Sequence, residues 1–176
     1  MRRLRLLGLF LLLLGLVAGC GSDEPAGPTF DRSSVAGVYH LGALTFDPQG
    51  SLPRVDILDR LSPADRPDLT ISYTDDTFQL VFREPLSGLV RVAKGRYSPD
   101  GDQIELNFDH AEDAQSLLLP KRSGFDFDRG AMTLSYAANT YVSLVRLREL
   151  VPEFRTEQLP DPVLGELVVV FEYDRR

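Results

Sequence analysis

Polar and apolar residues alternate with a period of two through most of this chain. Leu69, Ile71 and Tyr73 alternate with Thr70, Ser72 and Thr74, and Phe78, Leu80 and Phe82 share one face of Thr77–Arg83. Successive side chains on a strand point to opposite faces, so each run predicts a β-strand with one apolar side. Asp75-Asp76 between them has the length of a tight hairpin turn. A second hairpin joins residues 89–97 to Ile104, Leu106 and Phe108 through Ser98-Pro99-Asp100-Gly101-Asp102, where Pro presets φ and Gly permits a positive φ. Within 89–97, Val90 and Val92 lie opposite in parity to Ala93, Gly95 and Tyr97, which predicts a bulge near Ala93.

The alternation continues toward the C-terminus. Phe125 and Phe127, then Met132, Leu134 and Tyr136, flank a turn at Arg129-Gly130. Tyr141 to Arg148 reads as another strand, with Tyr141, Val145 and Leu147 facing away from Arg146 and Arg148. Val35 to Phe46 is a long first strand with both faces partly apolar, and Leu167 to Tyr173 a final one. Helix is scarce. Residues 55–61 form either one or two helical turns across an open end or an irregular loop, and Pro152, Pro160 and Pro162 disfavour regular structure over 149–163. The expected fold is all-β, an antiparallel up-and-down β-barrel of about eight to ten strands with little helix. A barrel is favoured over a sandwich because the first strand is long enough to bend and pair on two sides, and closure removes exposed edges.

The first twenty residues follow a different pattern. Arg2, Arg3 and Arg5 precede an uninterrupted run from Leu6 to Val17, followed by Val17-Ala18-Gly19-Cys20. A helix of about twelve residues spans roughly 18 Å, short of the roughly 30 Å of a bilayer core. The order of parts resembles a bacterial lipoprotein signal peptide ending in a lipobox. That resemblance implies cleavage before Cys20, acylation of its thiol, and a membrane partner reached through the lipid. Gly21 after the cysteine implies the outer membrane.

Composition narrows the picture further. The leader holds three of the nineteen basic residues and no acidic one, so the charge after its removal is −10. So acidic a chain is a poor nucleic-acid binder, since binding that backbone requires cationic groups that release its counterions, and anionic headgroups repel it, so the acyl anchor has to bind the membrane. Cys20 is the one cysteine, and its acylation rules out a disulfide within the monomer. Residues 20–31 read as a flexible tether, 32–150 as the barrel, and 151–176 as a proline-containing segment with a C-terminal strand.

Gly37-Val38-Tyr39 in the first strand resembles the Gly-x-Trp opening of lipocalin-like (calycin-type) domains, with Tyr in place of Trp. The chain over about residues 34–148 is similar to small bacterial lipocalin-like lipoproteins of uncharacterised function. The resemblance implies an aromatic at the closed end of a barrel and a basic residue from a late strand packed over it, either Arg146 or Arg148.

The parts of common catalytic machinery are sparse. There is no free thiol after acylation, no Gly-x-Ser-x-Gly elbow, no His-Glu-x-x-His and no phosphate-binding glycine loop. His40 reads as a wall or rim residue. His110, within Asp109-His110-Ala111-Glu112-Asp113, reads as part of a solvated acidic loop rather than a metal site. No catalytic residue, metal or cofactor is therefore assigned. The inward aromatics Tyr39, Phe78, Phe82, Tyr97 and Phe108 are the candidate lining of a cavity for a small apolar or amphipathic ligand. The expectation is a lipid-anchored, non-enzymatic binding module of the cell envelope. The alternative is a structural or interaction lipoprotein with a filled barrel.

Overall fold

The computed structural model describes residues 31–175, apart from 51, 85–86, 101 and 153–159. Cys20, the leader and the tether up to residue 30 lie outside the described residues. The strands are β1 (Gly37–Pro48), β2 (Val55–Asp56), β3 (Asp68–Ser72), β4 (Thr77–Arg83), β5 (Val90–Asp100), β6 (Gln103–Phe108), β7 (Arg122–Asp128), β8 (Thr133–Val142) and β9 (Val163–Tyr173). Two short helices, α1 (Ala111–Gln115) and α2 (Leu144–Leu150), follow β6 and β8. All strand pairs are antiparallel. Eight strands pair in sequence order and β9 returns to β1, closing the barrel, while β2 adds two residues beside β1.

β1 accomplishes this closure by bending. Its first half, Gly37 to His40, pairs with β3, and Tyr39 to Pro48 pairs with β9. The register with β9 shifts between Leu41 and Ala43, so Gly42 is an extra residue. One extra residue reverses the inside–outside parity of everything after it. Tyr39 and Leu41 point inward before the bulge, and Leu44 and Phe46 after it. This is why both faces of the strand look apolar when the sequence is read as unbroken.

The bulge predicted near Ala93 is absent. β4 and β5 pair without a shift from Arg83↔Val90 to Thr77↔Arg96. Val90 and Val92 simply face outward, 57% and 47% exposed, and Arg91 takes the inward parity opposite Phe82. The first hairpin turn is also longer than expected. Ser72 pairs with Thr77, leaving Tyr73–Asp76 as the turn, with Asp76 at φ 54° and Tyr73 60% exposed.

The strand expected over 141–148 ends at Val142. Leu144–Leu150 is helical, with Leu147 and Leu150 buried. A short apolar run satisfies both periods, and Leu, Arg and Glu favour helix once tertiary contacts permit it. The Asp161 carboxylate accepts a hydrogen bond from the free Leu144 N–H at 3.1 Å. Residues 55–61 resolve into β2 and one 3₁₀ turn at Leu58–Arg60, with Ile57 buried. The last strand starts at Val163, four residues earlier than expected, and is the strand that closes the barrel.

The two ends of the barrel differ. At one end lie the tight turns 73–76 and 129–132, the β5–β6 turn, the entering chain at Asp31 and the exit at Asp174. Arg32 clasps Asp76 there at 2.7 Å. At the other end lie the connections that follow β1, β4, β6 and β8, whose described residues include both helices.

Candidate functional site

The five candidate aromatics all point into the barrel and are all buried. Four of them fill it. Phe78 and Phe108 meet edge-on with centroids 4.9 Å apart, over inward-facing Gly95. A Cβ at Gly95 would lie 2.2 Å from the Asn107 carbonyl oxygen and 2.7 Å from the Phe78 ring, so the ring occupies the space a side chain would take. Tyr39 donates its hydroxyl to the Val35 carbonyl at 2.7 Å, and burial pushes its pKa above the usual tyrosine value. Tyr97 is buried beside them, and burial raises its pKa too.

The motif Gly37-x-Tyr39 has a physical reason. Tyr173 of β9 stands directly across from Tyr39, with centroids 5.4 Å apart and planes at 83°. Its ring also lies over Gly37, where a Cβ would come within 2.2 Å of it, and Gly37 has φ +148°. The partner of the opening aromatic is therefore a tyrosine of the last strand. Arg146 and Arg148 do not fill that place, because they sit on α2 at the opposite end.

Two of the candidates border open space: Phe78 lines a concavity of about 430 Å³ with Thr77, Gln79, Lys94, Gly95 and Asp109, and Phe82 borders a smaller one. With Leu44, Leu61, Pro67, Leu117 and Leu150 it lines a cavity of about 190 Å³ at the end with both helices. Leu44 and Phe82 are inward-facing wall residues of β1 and β4, so the cavity is the unfilled top of the barrel interior. Leu61 comes from the insert after β2, Leu117 from the turn after α1, and Leu150 from α2. A further concavity, of about 370 Å³, lies outside the wall between Leu118–Pro120, Tyr141 and Pro162.

The mouth of the cavity at Phe82 is charged. Asp65, Arg83, Glu84, Arg146 and Glu149 line it. Arg83 Nε lies 3.0 Å from Asp65 Oδ1, Arg91 Nε 2.9 Å from Glu84 Oε1, and Arg146 pairs with Glu149 one helical turn on. Glu84 also accepts from the Ser87 hydroxyl at 2.7 Å. That hydrogen bond, followed by Arg91, holds its carboxyl below the usual carboxylate range. Arg146 donates to Ser116 Oγ at 3.2 Å, fixing α2 against the end of α1. No linear motif announces these residues. Only the spacing of Arg146 and Glu149 carries a local signal, and it becomes legible once 144–150 is known to be helix.

His40 lies on the outer wall. Its Nδ1 is 2.5 Å from Asp68 Oδ1 on β3 and its Nε2 is 3.0 Å from Asp174 Oδ2 after β9. The hydrogen bond to Asp68, then that to Asp174, raises its pKa. His110 precedes α1 as its N-cap residue without a side-chain capping bond. Among the described residues, no group of three or more His, Cys, Asp or Glu is placed to hold a metal ion. No described helix is long and apolar enough to cross a membrane. The chain matches no known protein family, and no curated protein is significantly similar to it.

Proposed function

We propose that this protein is a lipid-anchored component of the bacterial cell envelope whose barrel binds a small amphipathic molecule without transforming it. The observation that carries the binding role is the apolar-floored cavity at the top of an otherwise packed barrel. Its volume of about 190 Å³ is modest. An apolar cavity of about 150 Å³ accepts benzene, so the site suits one ring or a short chain rather than a long lipid. The anchor rests on the basic leader, the short apolar run and the lipobox-like Val17-Ala18-Gly19-Cys20.

Native mass spectrometry of the full chain extracted from membranes tests the binding role, together with an environment-sensitive apolar dye. A co-extracted ligand or dye uptake is expected, and Leu61→Trp, which fills the mouth, is expected to abolish it while the protein stays folded. No uptake, or uptake indifferent to Leu61→Trp, overturns the reading. The alternative, a filled structural or interaction barrel, draws support from the exposed outer row Val81, Val90 and Val92. It predicts a ligand-free protein in the same experiment.

A further inference from the structure

The charged side chains around the cavity mouth balance. Arg83, Arg91 and Arg146 stand against Asp65, Glu84 and Glu149 as three ion pairs, each partly exposed, and Arg146 also acts on Glu84. Five of the six line the cavity, and Arg91 backs Glu84. Below them the floor is wholly apolar, made by Leu44, Phe82 and Leu117. We propose that the cavity selects small dipolar amphiphiles, with an apolar group held against this floor and a zwitterionic head seated on the ring of ion pairs. The proposal rests on the cavity being a binding site, as argued above, and adds which class of head group it takes.

The reasoning concerns exchange of partners. A lone anionic head reaches an arginine only by competing with the carboxylate already on it. A lone cationic head competes with an arginine for a carboxylate in the same way. In either case one charge-assisted hydrogen bond replaces another, and a previously paired charge is left over beside a low-dielectric floor. A zwitterion that opens one pair sets its cationic centre on the freed carboxylate and its anionic centre on the freed arginine, so no charge is left over. The six side chains sum to zero, so the ring itself adds no preference for a monopole of either sign. A neutral hydroxyl head avoids the penalty but forgoes the charge-assisted bonds.

Four probes with the same phenyl group separate these cases: phenylalanine, 3-phenylpropionate, 3-phenylpropylamine and 3-phenylpropanol. Each is titrated by calorimetry into the full chain held in lipid nanodiscs, with empty nanodiscs subtracted. Phenylalanine is expected to bind about tenfold tighter than the other three, the worth of roughly one charge-assisted hydrogen bond. In Glu149→Gln, Arg146 without its paired carboxylate is expected to improve 3-phenylpropionate by about tenfold. Arg146→Gln is expected to do the same for 3-phenylpropylamine, so either folded variant suffices. Equal binding of all four probes, or a charged monopole ranked first on the unmodified protein, overturns the head-group proposal and leaves the cavity reading standing. No binding of any probe overturns both.

Discussion

His40 ties three segments of the wall together, and its two carboxylate partners favour the protonated ring. Its folded pKa is raised, so its stabilisation is complete below the ordinary histidine value of 6.5 and is lost as pH rises through the raised value. The difference in thermal midpoint between the native protein and His40→Gln is expected to be largest near about pH 6 and to shrink toward about pH 9. A difference that grows with pH contradicts this. Gly37 makes a separate case, because an alanine there combines an unfavourable φ with a clash against Tyr173. Gly37→Ala is expected to cost about 1–3 kcal/mol in urea denaturation. A Tyr173→Ala background is expected to remove the steric part and leave the backbone part.

Among the elements, β1 depends on one inserted residue. Deleting Gly42 removes the bulge and turns Leu44 and Phe46 outward, while Thr45 turns into the core. The deletion is expected to prevent folding, read as loss of cooperative thermal unfolding. Gly42→Ser keeps the residue count, and its Cβ meets only the flexible end of Glu172, so it is expected to fold. The same element shows where pattern reading works and where it misleads. Leu69 and Ile71, Phe78 to Phe82, and Ile104 to Phe108 were legible as strands because each has one wet and one dry face. Residues 141–148 were not, since Tyr141, Val145 and Leu147 share one face at a period of two, and only the burial of Leu147 together with Leu150 marks the helical turn. The bulge expected in 89–97 is absent, and the observed one lies in β1 at Gly42, where the sequence shows only a long strand with both faces partly apolar.

For the whole molecule, the described domain begins at Asp31, at the end opposite the cavity. Ten residues separate Cys20 from Asp31, and the eleven steps between them reach roughly 36 Å fully extended. A strand the length of β5 rises about 28 Å along a barrel axis at a tilt of about 40°. On the lipid-anchor reading, the tether is nearly used up in reaching the far end, so the cavity mouth faces away from the anchoring membrane. A fluorophore on Asp75→Cys in proteoliposomes of the lipidated chain is expected to be quenched by headgroup quenchers more than one on Val145→Cys. Equal quenching sinks the orientation. Cys20→Ala is expected to release the protein from membranes with its barrel intact, and retention of that variant sinks the anchor itself.

Most of the strands, the all-β class and the inward set of aromatics followed from the chain alone, because a period-two pattern records which side of each strand meets water. The lipobox-like leader and the charge of the chain were likewise local and additive properties. Barrel closure through β9, the bulge at Gly42 and the pairing of Tyr39 with Tyr173 required the folded molecule. So did the cavity beside Phe82 and the meeting of three arginines with three carboxylates at one mouth. Each of these is a contact between residues distant in sequence, and alternation along one strand carries no information about which strand lies beside it.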